Sequence, residues 1–289
     1  MSRGLGDVYK RQLRNRPGGW RPLVYCWRGG QRSGSFASIL TQIGWRVDTL
    51  DGGYRSYRRL VVDAMHKTPL PHRLVLLDGD TGTAKTDLLH RLKARGHQVL
   101  DLEGLAAHRG SIFGATGRAQ PSQKAFEGAI AVQLAAMDPG RPVLAEAESS
   151  RVGDVQIPPS LWGAMCAAPR LHVSAPVEER ARYLVRAYAD LTEDPAILAP
   201  LLDGLRAPQG HARVDRWQAL AAERAFETLA LELVRDHYDH RYRKHRSRHA
   251  GPKDRHIALA RLDDAALDAA AARLEAELAT LALQPGAAD

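Results

Sequence analysis

Cysteine is scarce in this chain: two residues in 289, Cys26 and Cys166. Two cysteines cannot staple a disulfide framework, so a packed core must hold the fold, and a reducing cytoplasm is the expected compartment. Long apolar runs are missing as well. Nothing approaches the ~20 consecutive apolar residues of a membrane span, and the N-terminus lacks the pattern of a secretory signal, so no membrane partner is expected. The histidine-rich stretch Arg235 to His256 has no cysteines beside it and a spacing that fits no zinc framework, so no metal is assigned. Acidic residues are outnumbered, 33 against 41 lysines and arginines, for a net charge of +8. That balance suits an anionic partner such as RNA, phosphates or pyrophosphates without choosing among them. Nothing in the sequence fixes an oligomeric state.

What is present is a chain 44% hydrophobic, long enough for about two domains. Its most informative stretch is Arg73 to Thr86, RLVLLDGDTGTAKT. Leu74 to Leu77 read as a buried strand of a parallel sheet, cut off by Gly79. Gly79, Gly82, Ala84, Lys85 and Thr86 then nearly match a phosphate-binding loop. Backbone N–H groups at a helix N-terminus face the anion there, Lys85 reaches an outer phosphate, and the Thr86 hydroxyl holds a metal ion or a phosphate oxygen. Ala84 stands where the motif has its second glycine, at a cost of roughly 1–2 kcal/mol if the backbone is left-handed at that point. A dinucleotide-binding turn is the rival reading, but its glycine spacing differs and Lys85-Thr86 would have no role.

Upstream, residues 1–12 show no periodicity and read as a flexible tail or a foreign flank on a truncated chain. Leu23-Val24-Tyr25 reads as a short strand running into the loop Cys26-Trp27-Arg28-Gly29-Gly30-Gln31-Arg32-Ser33, with a helix from Ser35 to Ile43. N–H groups curled around a sulfur at a helix start, with Arg28 and Arg32 close by, should depress the Cys26 thiol pKa. Cys166, in LWGAMCAAP, reads as a small buried hydrophobe. A second strand is expected over Trp45 to Leu50, followed by Gly52-Gly53 and a basic and aromatic helix start in which Arg55 and Arg58 are candidate RNA contacts. Thr68-Pro69-Leu70-Pro71 is the linker candidate.

Downstream, the strand Gln98 to Leu102 leads into DLEGLAAHRGSIFG, where Asp101, Glu103, His108, Arg109 and Ser111 crowd the end of a strand. Open α/β sheets place their ligands there. Ser122 starts a helix with Phe126, Ile130, Leu134 and Met137 at helical spacing. The strand Arg141 to Ala145 runs into Glu146 and Glu148, either of which could position a metal or a nucleophile. After a fourth strand at Leu171 to Val173, everything from Pro176 onward reads as helical, including one helix from Val214 to Arg235. The segment Arg235 to His256 interleaves Arg, Lys, His and Tyr and is the best nucleic-acid surface, with Arg241, Tyr242, Arg243 and Lys244 at its centre. A last helix from Asp263-Asp264 sets Leu267, Ala271, Leu274, Leu278 and Leu281 on one stripe, for packing or dimerisation.

The motifs YCWRGGQRSGS, LDGGYRSYR, the phosphate loop, DLEGLAAHRGSIFG, PSQKAFE, EAESSRVGDVQIP and HYDHRYRKH occur in that order. Together they resemble the bacterial tRNA 2-selenouridine synthase family, which joins a rhodanese-like domain to a phosphate-loop domain. The resemblance implies an α/β chain: a partial, N-terminally truncated rhodanese-like module over residues 13–67, a phosphate-loop parallel sheet over 72–205 and a basic helical region over 206–289. It implies a cytoplasmic transferase acting on the wobble 2-thiouridine of tRNA, first alkylating the sulfur with geranyl diphosphate and then exchanging it for selenium from selenophosphate. Cys26 matches the family's rhodanese cysteine, needed for selenium transfer, and Gly79, Gly82, Lys85 and Thr86 match its phosphate cradle. Both co-substrates carry phosphate; no tightly bound cofactor is expected, and Mg2+ is compatible with the loop. A small-molecule kinase or ATPase and a non-catalytic basic tRNA adaptor are the competing readings.

Overall fold

A computed structural model of the chain describes residues 13–193, 195–239 and 254–282. It divides into two compact units, Met1–Thr68 and Pro69–Asp289. In the first unit β1 (Leu23–Val24) is followed by α1 (Gln31–Ile43), β2 (Asp48–Thr49) and α2 (Tyr54–Val62). β1 and β2 pair in parallel, and Val24, Ala37 and Leu40 form the small core beneath them. The expected strand Trp45 to Leu50 shrinks to Asp48–Thr49, because Trp45 and Val47 turn to pack on that core and Trp45 meets the Trp20 ring edge-on at 5.2 Å. α1 begins four residues before Ser35, directly after Gly30, and stops at Gly44, whose left-handed backbone returns its N–H to Leu40 and Thr41.

The second unit is an α/β fold compatible with a phosphate-loop domain. Its strands are β3 (Leu74–Gly79), β4 (Gln98–Leu100), β5 (Val143–Glu146), a small hairpin β6 (Arg151–Val152) and β7 (Val155–Gln156), β8 (Arg170–Ser174) and β9 (Arg255–Ala258). The main sheet runs β4-β5-β3-β8-β9, and every pairing in it is parallel. All six residues of β3 are buried, as an apolar strand with neighbours on both sides must be. The chain leaves β3 for the β4–β5 side and only later returns to β8 on the other side, so the loop after β3 opens at a topological switch point.

Alternation sends Val75, Leu77, Val99, Leu144, Leu171, Val173 and Ile257 to one face. Against them pack α3 (Lys85–Ala94), through Leu88, Leu89 and Leu92, and a long C-terminal helix, Asp264–Ala282, through its whole leucine stripe. Each fully buried leucine contributes roughly 1.5–3 kcal/mol. Arg91 reaches Asp264 and Asp268 at 2.5 Å and Arg95 reaches Glu275 at 2.7 Å, so the stripe docks in one register. The short α4 (Leu102–Ala106) follows β4, and α5 (Gln123–Ala135) and α6 (Pro159–Ala167) lie against β4 and β3. α5 is capped by Ser122. After β8 come α7 (Val177–Ala187), α8 (Pro195–Asp203), α9 (His211–Ala222) and α10 (Phe226–Glu232), and the C-terminal helix is α11. α8 to α10 enclose a second core around Trp217 and Leu202.

Three expectations need correction here. The region after Pro176 is not wholly helical: β9 adds a fifth strand, hidden in the sequence because only Ile257 of its four residues is buried. The helix expected over Val214 to Arg235 is broken at Arg224, whose φ of 58° is left-handed, and it ends in a π-helical turn, Leu233–Tyr238. Cys166 is exposed, because Leu161 and Met165 take the inward face of α6 and turn it outward. No helix among the described residues is long and apolar enough to cross a membrane.

Candidate functional site

The loop from β3 to α3 wraps one end of the sheet. Gly79 sits where a Cβ would lie 2.5 Å from the Val173 carbonyl, so only glycine lets the turn leave β3 beside β8. Ala84 is left-handed, φ 60° and ψ 31°, and 2% exposed. Lys85 curls back over the loop, its Nζ donating to the carbonyls of Gly79 at 2.9 Å and Asp80 at 3.3 Å. The buried Arg180 of α7 clamps the loop from outside: its Nε donates to Thr81 O at 2.8 Å while its other nitrogens bind Asp239 at 2.6 and 3.2 Å.

A cavity of about 500 Å³ opens over this loop, lined among others by Gly82, Lys85, Thr86, Glu103, Arg109 and Glu148. Thr86 Oγ1 donates to Glu103 Oε2 at 3.1 Å. Glu103 is hydrogen-bonded to Glu148, and burial together with the Glu148 charge pushes its pKa up to about 8, against the opposing pull of Lys85. Burial likewise raises Glu148, opposed by Lys85. Buried together and hydrogen-bonded to each other, the two carboxyls resist ionising at once. Ser111 and Arg109 line the same cavity. Arg109 lies over the Tyr188 ring at 4.7 Å and donates Nη2 to Asp190 at 3.0 Å. Its Nη1 and Ser111 Oγ are buried and have no hydrogen-bond partner among the described residues. Buried donors left unpaired are costly, roughly 1–3 kcal/mol each.

Asp101 and Glu146 stand apart from this group. Asp101 caps α4, its Oδ1 accepting from Gly104 N at 2.6 Å and its Oδ2 meeting His90 at 3.1 Å. Glu146 is 1% exposed and accepts from Leu102 N at 2.9 Å, fastening β5 to the start of α4. Burial, and then Asp101 and Glu103, raise its pKa well above the usual carboxylate range. Strand alternation does not carry from Glu146 to Glu148, because Glu148 N turns back on Glu146 O at 2.8 Å; of the two, Glu148 lines the cavity. His108 accepts from Gly110 N at 3.2 Å, and burial lowers its pKa.

No group of three or more His, Cys, Asp or Glu among the described residues is placed to hold a metal ion. The oxygens beside Lys85 suited to Mg2+ are Thr86 Oγ1 and the Glu103–Glu148 pair. Sequence reasoning missed Tyr183, Leu184, Arg186 and Tyr188 of the region after β8, which also line the cavity. They lie in the last turns of α7 and at its C-cap, well beyond the end of β8, and only the fold brings them back over the loop. It also missed a smaller apolar cleft of about 80 Å³ that shares Thr81, Leu184 and Tyr188 with the cavity and runs on between Phe113, Leu198 and Phe226.

In the first unit, Cys26 Sγ lies 3.3 Å from Ser33 Oγ and accepts from Gly30 N at 3.3 Å. The Ser33 hydroxyl and then the Gly30 amide lower its pKa to about 6. The agent is thus Ser33, not the guanidinium groups of Arg28 and Arg32, which are on exposed residues; Arg28 helps through its backbone N–H. Arg55 is exposed and Arg58 half-buried on α2. Arg241, Tyr242, Arg243 and Lys244 lie outside the described residues.

Against known proteins, residues 72–199 match the family model described as the tRNA 2-selenouridine synthase AAA domain. The chain is 39% identical over 181 residues to the tRNA 2-selenouridine synthase of Hahella chejuensis, covering 59% of this chain and 47% of that protein. It is 35% identical over 184 residues to the enzyme of that name from Aeromonas salmonicida, covering 63% and 48%. With the one from Alcanivorax borkumensis it shares 32% identity over 256 residues, 79% of this chain and 70% of that protein. The chain spans about half the length of the first two relatives. No solved structure matches it.

Proposed function

This chain belongs to the tRNA 2-selenouridine synthase family, and on that premise we propose that it replaces sulfur by selenium at the wobble 2-thiouridine of tRNA through a geranylated intermediate. In the first step a C–S bond forms between the thiouridine sulfur and the terminal geranyl carbon as the C–O bond to diphosphate breaks, and the base loses a proton. In the second, the selenium of selenophosphate bonds to C2 of the base as the C2–S bond breaks and geranylthiol leaves with a proton; water then cleaves the Se–P bond, releasing phosphate and leaving selenium on C2. The phosphate-loop cavity takes the diphosphate: Lys85 and the loop amides neutralise it, while Ser111 and Arg109 donate to it. The geranyl chain fills the adjoining apolar cleft and extends into the main cavity. Cys26, ionised near neutral pH, serves the selenium step as the rhodanese-like half of the protein.

The observation that carries this reading is the pairing of two unsatisfied buried donors at a phosphate loop with an apolar cleft beside it. Calorimetric titration tests the first step. Geranyl diphosphate should bind more tightly than inorganic pyrophosphate, since each methylene buried in the cleft adds roughly 0.8 kcal/mol. Lys85→Met should weaken both by about 10- to 150-fold, the loss of a charged hydrogen bond. Equal affinity for the two ligands, or ATP–Mg2+ binding more tightly than either, overturns the proposal in favour of a kinase or ATPase. Mass spectrometry of wobble uridines after incubation with both co-substrates reads the whole reaction.

A further inference from the structure

The Cys26 loop does more than cradle a sulfur. Its backbone docks on the first turn of α2: Tyr54 N donates to Cys26 O at 3.0 Å and Arg55 N to Trp27 O at 3.1 Å. The approach is close enough that a Cβ on Gly53 would lie 2.1 Å from Cys26 O, and one on Gly29 2.4 Å from Gly53 N. This docking fixes the Trp27 indole against Tyr54, ring centroids 5.1 Å apart and 30° from coplanar. Tyr57, one helical turn on, continues the series at 5.9 Å. Trp27 remains 53% exposed, although a large ring is normally covered. Arg55 and Arg59, both exposed, flank the rings on the neighbouring side of α2, with Arg58 half-buried between them.

We infer that Trp27, Tyr54 and Tyr57 form a stacking platform for an unpaired RNA base, with Arg55, Arg58 and Arg59 contacting its backbone. Aromatic faces interleaved with cations suit single-stranded RNA, whose bases can splay out onto rings while phosphates meet the guanidinium groups. Charge complementarity favours that occupant, and the adjacency of Trp27 to Cys26 would deliver the stacked nucleoside to the thiolate. The inference rests on the proposed action on RNA but assigns different residues from those that bind the diphosphate.

Fluorescence anisotropy of a labelled uridine oligoribonucleotide with the full chain tests it. Trp27→Ala should weaken binding about 5- to 150-fold, the range measured for a lost base–aromatic stack, and Trp27→Phe should restore most of it. Arg55→Ala should lower the log–log salt slope by about 0.7, a change Trp27→Ala should not produce. Unchanged Cys26 alkylation at pH 7 in Trp27→Ala shows that the loop is still folded. Three results overturn the platform: no effect of Trp27→Ala, an equal loss on a duplex RNA, or Trp27-dependent binding to anionic vesicles without such dependence for the oligonucleotide. Geranyl diphosphate titration of the same variant separates the two proposals. If the wild type fails to bind that ligand while the oligonucleotide still depends on Trp27, the geranyl reading falls and the platform stands.

Discussion

Ala84→Gly should leave stability almost unchanged, and the reason can be worked out from the loop. Relief of the left-handed conformation at φ 60° is worth roughly 1–2 kcal/mol. Against it stand the loss of a methyl from a residue 2% exposed, about 0.8 kcal/mol, and the greater freedom of glycine in the unfolded chain, about 0.4–1 kcal/mol. The terms nearly cancel, so the net change should fall within about 1 kcal/mol of zero. Ala271→Gly is the control. Ala271 is fully buried inside α11, where there is no strain to relieve, and both remaining terms point the same way. It should cost about 2 kcal/mol, the methyl plus the helix-propensity difference. Urea unfolding followed through the buried Trp217 compares the two variants. Equal destabilisation by both would refute the reasoning, because Ala84 would then carry no left-handed strain.

Other outcomes follow from the same geometry. Alkylation of Cys26, tracked by peptide mass spectrometry, should rise through about pH 6, and Ser33→Ala should move that midpoint upward; a midpoint near 9 would show that the hydroxyl does not hold the thiolate. Because Glu103 titrates near 8 in the folded protein and near 4.5 by itself, the stability it contributes is full below about pH 4.5 and is lost as pH rises toward 8. Glu103→Gln should flatten that decline in a series of thermal melts, and an unchanged slope would show that Glu103 is not the group responsible. Leu274→Ala, at a fully buried position of α11, should cost about 2–5 kcal/mol in urea unfolding; a loss under about 1 kcal/mol would mean that the helix is not part of the sheet's core.

The parts of this fold that were legible beforehand are those where one physical signal dominates. The apolar run of β3 and the five-position stripe of α11 are strong periodic signals of burial, and all of those positions are buried, the stripe against the sheet. Ala84 was flagged because chirality makes a left-handed alanine expensive, and its backbone is left-handed. What escaped notice depended on tertiary partners. β9 is an edge strand whose pattern of one buried residue in four looks like a charged linker until β8 lies beside it. Ser33 reaches Cys26 only because α1 begins at Gln31, which brings position 33 back under the sulfur. Glu146 and Glu148 could not be separated by alternation, since the turn between them exists only in three dimensions.

That last distinction bears on how a phosphate loop tolerates acidic side chains beside it at all. Two ionised carboxylates beside the phosphate loop would cancel Lys85 and repel a diphosphate. Burying them against each other makes double ionisation expensive: the Glu103 pKa is pushed up to about 8 and that of Glu148 is raised as well, which lessens the negative charge beside the loop. Lys85 offsets that charge, and Arg109 is matched by Asp190. Asp87, Asp263 and Asp264 line the same cavity, so Lys85, Arg109 and Arg186 stand among several carboxylates there. The same burial that shifts the carboxyls lowers the local dielectric, so each hydrogen bond made in this cavity counts for more than it would in water.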